Sequence, residues 1–183
     1  MGTINQPSDP DTRGGAPTLD ASHAHIHEGR SFHADGYEAE LDAAASIAFI
    51  LDGTALQKEV HISFAGEVGA DCLGELFEAT THTNGAAVPV FNRNRKLADT
   101  ANYPNLAANE LQIYVSNQDV ADGTRLQQEF MPGGSGVNFS PGGGGNSRGE
   151  WVLRPGIKYL AKVTNVSAAA TALSVSIDWY EVA

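Results

Sequence analysis

The sequence predicts an all-β protein, a jelly-roll-like β-sandwich of about eight strands with an extended amino-terminal arm. Three observations carry that expectation. Apolar residues alternate with period two through most of the chain, turn-forming residues interrupt them at the spacing of a sandwich or barrel, and no segment keeps helical periodicity long enough for an independent helix. The 183 residues include 20 glycines and 42% hydrophobic residues, so the chain can bury a core and must also be rich in turns.

Residues 1–22 read as the arm. Pro7, Pro10, Gly14, Gly15 and Pro17 break any helical or strand period, which leaves this segment either disordered or ordered only against a neighbouring subunit. The sandwich domain is expected over residues 23–183. Ile47–Leu51 reads as a buried run stopped by Asp52-Gly53. In 60–64, Val60, Ile62 and Phe64 share one face while His61 and Ser63 take the other. Leu73–Glu78 alternates weakly, as a strand with both faces partly covered would. Asn84-Gly85 predicts a hairpin turn into Val88–Phe91.

Farther along, Leu111, Ile113 and Val115 share a face, as do Trp151 and Leu153, and again Ile157, Tyr159, Ala161 and Val163. The last strand is the plainest: Leu173, Val175, Ile177 and Trp179 line one side, and Ser174, Ser176, Asp178 and Tyr180 the other. Tyr37–Ala45 and Lys96–Ala101 are the helical alternatives, each a turn or two long.

Charge and cysteine content narrow the function classes. Asp and Glu outnumber Lys and Arg 22 to 11, and a net charge of −11 repels phosphate backbones and anionic lipid, so neither nucleic acid nor membrane is expected as a partner. The single cysteine, Cys72, has no neighbour that would activate a thiolate and reads as structural. No apolar run is long enough to span a bilayer and the first residues lack signal-peptide blocks, so a protein made and kept soluble in the cytoplasm is expected.

The sharpest enzymatic hint is His23, His25 and His27. In an extended strand these imidazoles would project to one side as candidate metal ligands, with His33 as a fourth. A cupin would place a ligand Glu shortly after such a motif, yet Ser31 and Phe32 stand there, and no histidine follows Pro155-Gly156. The reading is therefore an exposed polar strand face or a trimer contact, with no cofactor and no enzymatic activity. The glycine tracts 133–136 and 142–145 lack the Lys-Ser/Thr ending of a phosphate loop and read as a long hairpin loop. No Ser/His/Asp grouping has the local context of a nucleophile elbow. Arg93, Arg95 and Lys96 form the only basic cluster, a solvated strand end or a contact with acidic groups of a neighbouring chain.

From about His23 to the end, the chain resembles a family of tailed-bacteriophage virion proteins, often head decoration or cement proteins built as jelly-roll trimers. The features that carry the resemblance are His27-Glu28-Gly29, Phe32-His33, Phe91-Asn92-Arg93-Asn94-Arg95, Ser147–Leu153, Pro155-Gly156-Ile157-Lys158-Tyr159, Val163-Thr164-Asn165 and Trp179-Tyr180-Glu181. The resemblance implies a homotrimer on the outer surface of the virion capsid, with the major capsid protein as partner. Arg93, Arg95, Trp151 and Tyr180 are then the expected interaction residues, and deleting the residues before His23 should weaken capsid binding while sparing the fold. An alternative is a tail or baseplate module that stacks host carbohydrate on Tyr103, Tyr114 or Trp151.

Overall fold

The structure, a computed structural model, describes residues 21–95, 109–116, 121–134, 138–139 and 149–182. The described residues form one short helix, α1 (Ala21–His27), and twelve strands: β1 (Ser31–Leu41), β2 (Ser46–Asp52), β3 (Glu59–Val68), β4 (Cys72–Glu78), β5 (Asn84–Ala87), β6 (Phe91–Asn92), β7 (Gln112–Ser116), β8 (Thr124–Met131), β9 (Asn138–Phe139), β10 (Trp151–Leu153), β11 (Lys158–Asn165) and β12 (Thr171–Val182). Two antiparallel sheets result. The first runs β10-β3-β12-β1-β6, with β9 also paired to β3, and the second runs β5-β7-β2-β11-β4-β8.

The pairing explains the shape. The first four strands pair with four later ones in mirror order: β1 with β12, β2 with β11, β3 with β10 and β4 with β8. The chain is thus a long two-stranded ribbon, and rolling it brings β12 onto β3 and β11 onto β4. This is the jelly roll expected from the sequence, with four extra strands: β5 to β7 at the outer edges of β1 and β2, and β9 on β3.

Alternation fills the space between the sheets. Val60, Ile62 and Phe64 of β3 and Leu173, Val175, Ile177 and Trp179 of β12 are all buried, and Trp179 stacks on Phe32 with ring centroids 5.7 Å apart. Cys72 is buried in the same core; burial and the charge of Asp71 push its thiol pKa up, as a structural cysteine requires. The buried run expected in β2 is covered on both faces. Phe49 and Leu51 face the main core, while Ala48 and Ile50 join Leu160, Phe77 and Tyr114 in a second cluster on the outside of the second sheet.

Gly36 of β1 lies against the ring of Phe49, and a Cβ there would come within 2.3 Å of the ring's Cζ. Gly36→Ala is expected to cost about 1–3 kcal/mol of unfolding free energy, because the buried ring must be displaced to admit the methyl group. Urea denaturation measures the loss, and Phe49→Leu in the same chain should recover part of it.

Three expectations need correction. Asn84-Gly85 is no hairpin turn: both residues lie in β5, where Asn84 pairs with Ser116 and its amide donates to Asp52 Oδ2 while accepting from Lys158 Nζ. These contacts outweigh the local turn preference. Tyr37–Leu41 is strand, not helix, because β12 supplies a ladder along it. His23, His25 and His27 lie on α1 and not on a strand. The arm before Ala21, Lys96–Ala101, Tyr103 and most of the glycine tract lie outside the described residues.

Three carboxylates in the loops and strand ends sit below the ordinary range. Burial pulls each one up, but hydrogen bonds win: Thr54 and Asn84 with the charge of Lys158 on Asp52, the Gln57 and Lys58 backbone amides with Lys58 on Glu110, and Lys162 and His82 on Asp122. A depressed carboxyl binds its proton more readily in the unfolded chain. Its stabilisation is therefore present above pH ~4, the ordinary carboxylate range, and drains away as pH falls through the lowered values. Thermal melts should be flat from neutrality down to about pH 5 and then fall steadily.

Candidate functional site

Five of the segments that carry the resemblance meet at one end of the first sheet. The helix α1 arrives there first. Gly29, at φ +73°, ends it in a two-bond cap: the Arg30 N–H donates to the His25 carbonyl at 2.9 Å and the Gly29 N–H to that of Ile26 at 3.1 Å. The turn after β6 secures the cap, since Asn92 Nδ2 donates to the Gly29 carbonyl and Asn94 Nδ2 to that of His27. These contacts explain why a His-x-His-x-His stretch is helical here.

A helix separates residues two apart by about 200°, so the three imidazoles do not share a side. His23 and His27 stand together with Nε2 atoms 2.9 Å apart, whereas His25 turns away to stack on Tyr180 at 4.4 Å. Among the described residues, no three His, Cys, Asp or Glu side chains are grouped as metal ligands would be.

On the outer face of the sheet, Tyr180 also stacks on His61, its direct cross-strand neighbour, at 4.6 Å. The Tyr180 hydroxyl donates to Glu150 Oε2 at 3.0 Å. His61 in turn lies between carboxylates, 2.7 Å from Glu59 and 3.6 Å from Glu150. One strand over, Asp178 is held by His33 at 3.0 Å and by Arg93 at 3.6 Å. Between the Glu150 and Asp178 carboxylates opens a cleft of about 60 Å³, with the Ser31 and Ser63 side chains in its wall.

The candidates read from the sequence divide accordingly. Arg93 and Tyr180 line the cleft. Trp151 does not: it pairs with Ile62 and packs its half-buried ring against the core. Arg95 is exposed beyond β6, and Tyr114 packs into the second cluster. Sequence reasoning missed His61, Glu150 and Asp178. The signal lay in the outward positions of β3 and β12, but only the strand register places them side by side.

One grouping the sequence concealed lies on the other sheet. His82 is buried, with Nδ1 3.0 Å from Ser116 Oγ and Nε2 3.0 Å from Asp122 Oδ1. Lys162 also binds Asp122 and lies over the Phe77 ring. The buried ring ties the segment before β5 to the ends of β7 and the segment before β8, the work of a structural tether. The cleft described above contains none of these three residues.

No protein-family model matches the chain, and no match was found among curated proteins or solved structures.

Proposed function

We propose that this chain is a non-enzymatic structural protein of a tailed-bacteriophage virion, a homotrimer that decorates the outer surface of the capsid and cements the major capsid protein. The observation that carries the reading is the convergence at one end of the first sheet: His27-Glu28-Gly29, Phe32-His33, Phe91-Asn92-Arg93-Asn94, Glu150-Trp151-Val152 and Trp179-Tyr180-Glu181 all contribute to the helix cap, the cleft or their supports. Segments scattered over more than 150 positions of sequence have a shared reason to co-occur if they build one surface. Jelly rolls are also recurrent shell-protein domains.

A cement protein needs several modest footings acting together, and three copies on one trimer supply them through effective concentration. Sedimentation equilibrium should give three times the chain mass. Purified protein added to particles that lack it should raise their resistance to heat or chelation. A monomer without effect on such particles sinks the reading.

The tail or baseplate alternative, a carbohydrate-binding module, draws support from two exposed rings on this sheet, Tyr37 and Phe91. A glycan array without a hit removes it.

A further inference from the structure

We propose that the cleft between Glu150 and Asp178 is a docking site for a basic side chain, lysine or arginine, presented by a protein partner. This deepens the proposed function by saying which face of the jelly roll meets the shell and what the shell must offer. It rests on that function only for the partner's identity.

The two sheets balance their outward charges differently. On or beside the second sheet four carboxylates are paired with Lys or Arg, and Glu129 meets only Gln127 among the described residues: Arg125 and Lys162 hold Glu75, Lys162 also holds Asp122, Arg154 holds Glu78 and Lys158 holds Asp52. Four carboxylates meet four cations. Around the cleft of the first sheet, Glu59, Glu150 and Asp178 meet a single guanidinium among the described residues, that of Arg93, and their other contacts come from the imidazoles of His33 and His61 and the hydroxyl of Tyr180. The cleft therefore gathers three carboxylates about one guanidinium in a partly enclosed place, where an incoming cation gains more than on open surface.

The surroundings have the composition of a contact. Val152 is 53% exposed beside His61, Phe91 is 47% exposed beside His33, and Tyr37 is 71% exposed farther along β1, all on this sheet. Apolar groups around a charged cleft bury the stem of a lysine or stack on a guanidinium while the head group reaches the carboxylates. A free metal ion is a poorer occupant, because no ligand set of three gathers there among the described residues. A polyanion would be repelled.

The test uses the full-length chain, hexa-arginine amide and hexalysine amide as probes, and particles as a second arm. Backbone amide shifts on titration should concentrate at 31–33, 61–63, 150–152 and 178–180. Asp178→Asn and Glu150→Gln should each weaken peptide binding about fivefold, the order of one partly exposed charge pair. Glu129→Gln, which removes the same charge from β8 of the other sheet, should leave affinity nearly unchanged. Equal weakening by Glu129→Gln, or shifts centred on the second sheet, overturns the proposal.

In the particle arm, wild-type binding with reduced binding by Asp178→Asn supports it. Wild-type binding matched by both cleft variants overturns the face assignment and leaves the capsid role standing. Peptide binding at the cleft with no binding of wild type to particles keeps the cation site and overturns the capsid role. Loss of the trimer in either variant would assign the cleft to contact between copies and overturn the proposal.

Discussion

Asn165→Asp is expected to lower the unfolding free energy by about 3–5 kcal/mol at neutral pH, the cost of a buried charge without a partner. Asn165 is fully buried at the end of β11, and its amide nitrogen donates to the carbonyls of Leu41, Asp42 and Ala169 at 2.9, 3.2 and 2.8 Å. Its side-chain oxygen accepts from the Ser167 backbone and hydroxyl. One side chain thus pins the β1–β2 turn to the β11–β12 turn, where the rolled ribbon reverses at both ends. An aspartate would aim a carboxylate at three carbonyl oxygens. Urea denaturation at two pH values checks the mechanism: part of the loss should return in mild acid, where the new carboxyl is neutral, and an equal loss at both values would point to shape instead of charge.

Glu181→Ala is expected to cost a similar amount, about 3–5 kcal/mol, because it removes the acceptor of buried donors and leaves Lys58 with Glu110 as its one remaining carboxylate among the described residues. Glu181 is 1% exposed. Its Oε1 accepts from the backbone of Glu110 and Leu111, at 2.7 and 3.2 Å, and from Trp179 Nε1, while Oε2 lies 3.0 Å from Lys58 Nζ. The residue therefore fastens the segment before β7 to the last strand. Glu181→Gln keeps the backbone acceptor and loses only the charge, so it should cost less than half as much. Trp179 fluorescence reports both transitions, and equal losses in the two variants would show that the ion pair, not the backbone anchoring, carries the effect.

The parts of the fold that were legible in the sequence are those where one physical effect dominates. Each of β3 and β12 faces the core with one side, and so their alternation stands out. Ile47–Leu51 shows no alternation because β2 is covered on both faces, which is also why it reads as a continuous apolar run. The expectation failed where distant contacts decide. His23–His27 carries a two-residue alternation that suits a strand, yet Gly29, Asn92 and Asn94 cap it as a helix from up to 67 positions away. Asn84-Gly85 has hairpin chemistry, but Asp52 and Lys158 hold it in β5.

The candidate site shows the same division. Arg93 and Tyr180 stood out as a rare basic residue and an outward aromatic. His61, Glu150 and Asp178 looked like ordinary surface residues, since nothing local says that β3 and β12 are neighbours in this register. The buried His82 was equally silent, because its partners lie 34 and 40 positions away.

The proposed function puts the chain on the head of a phage particle. Immunogold labelling of intact virions, with an antibody raised against the folded domain, tests it most directly. Label distributed over the head is the predicted result; label confined to the tail tip, or absent from the particle, would contradict it.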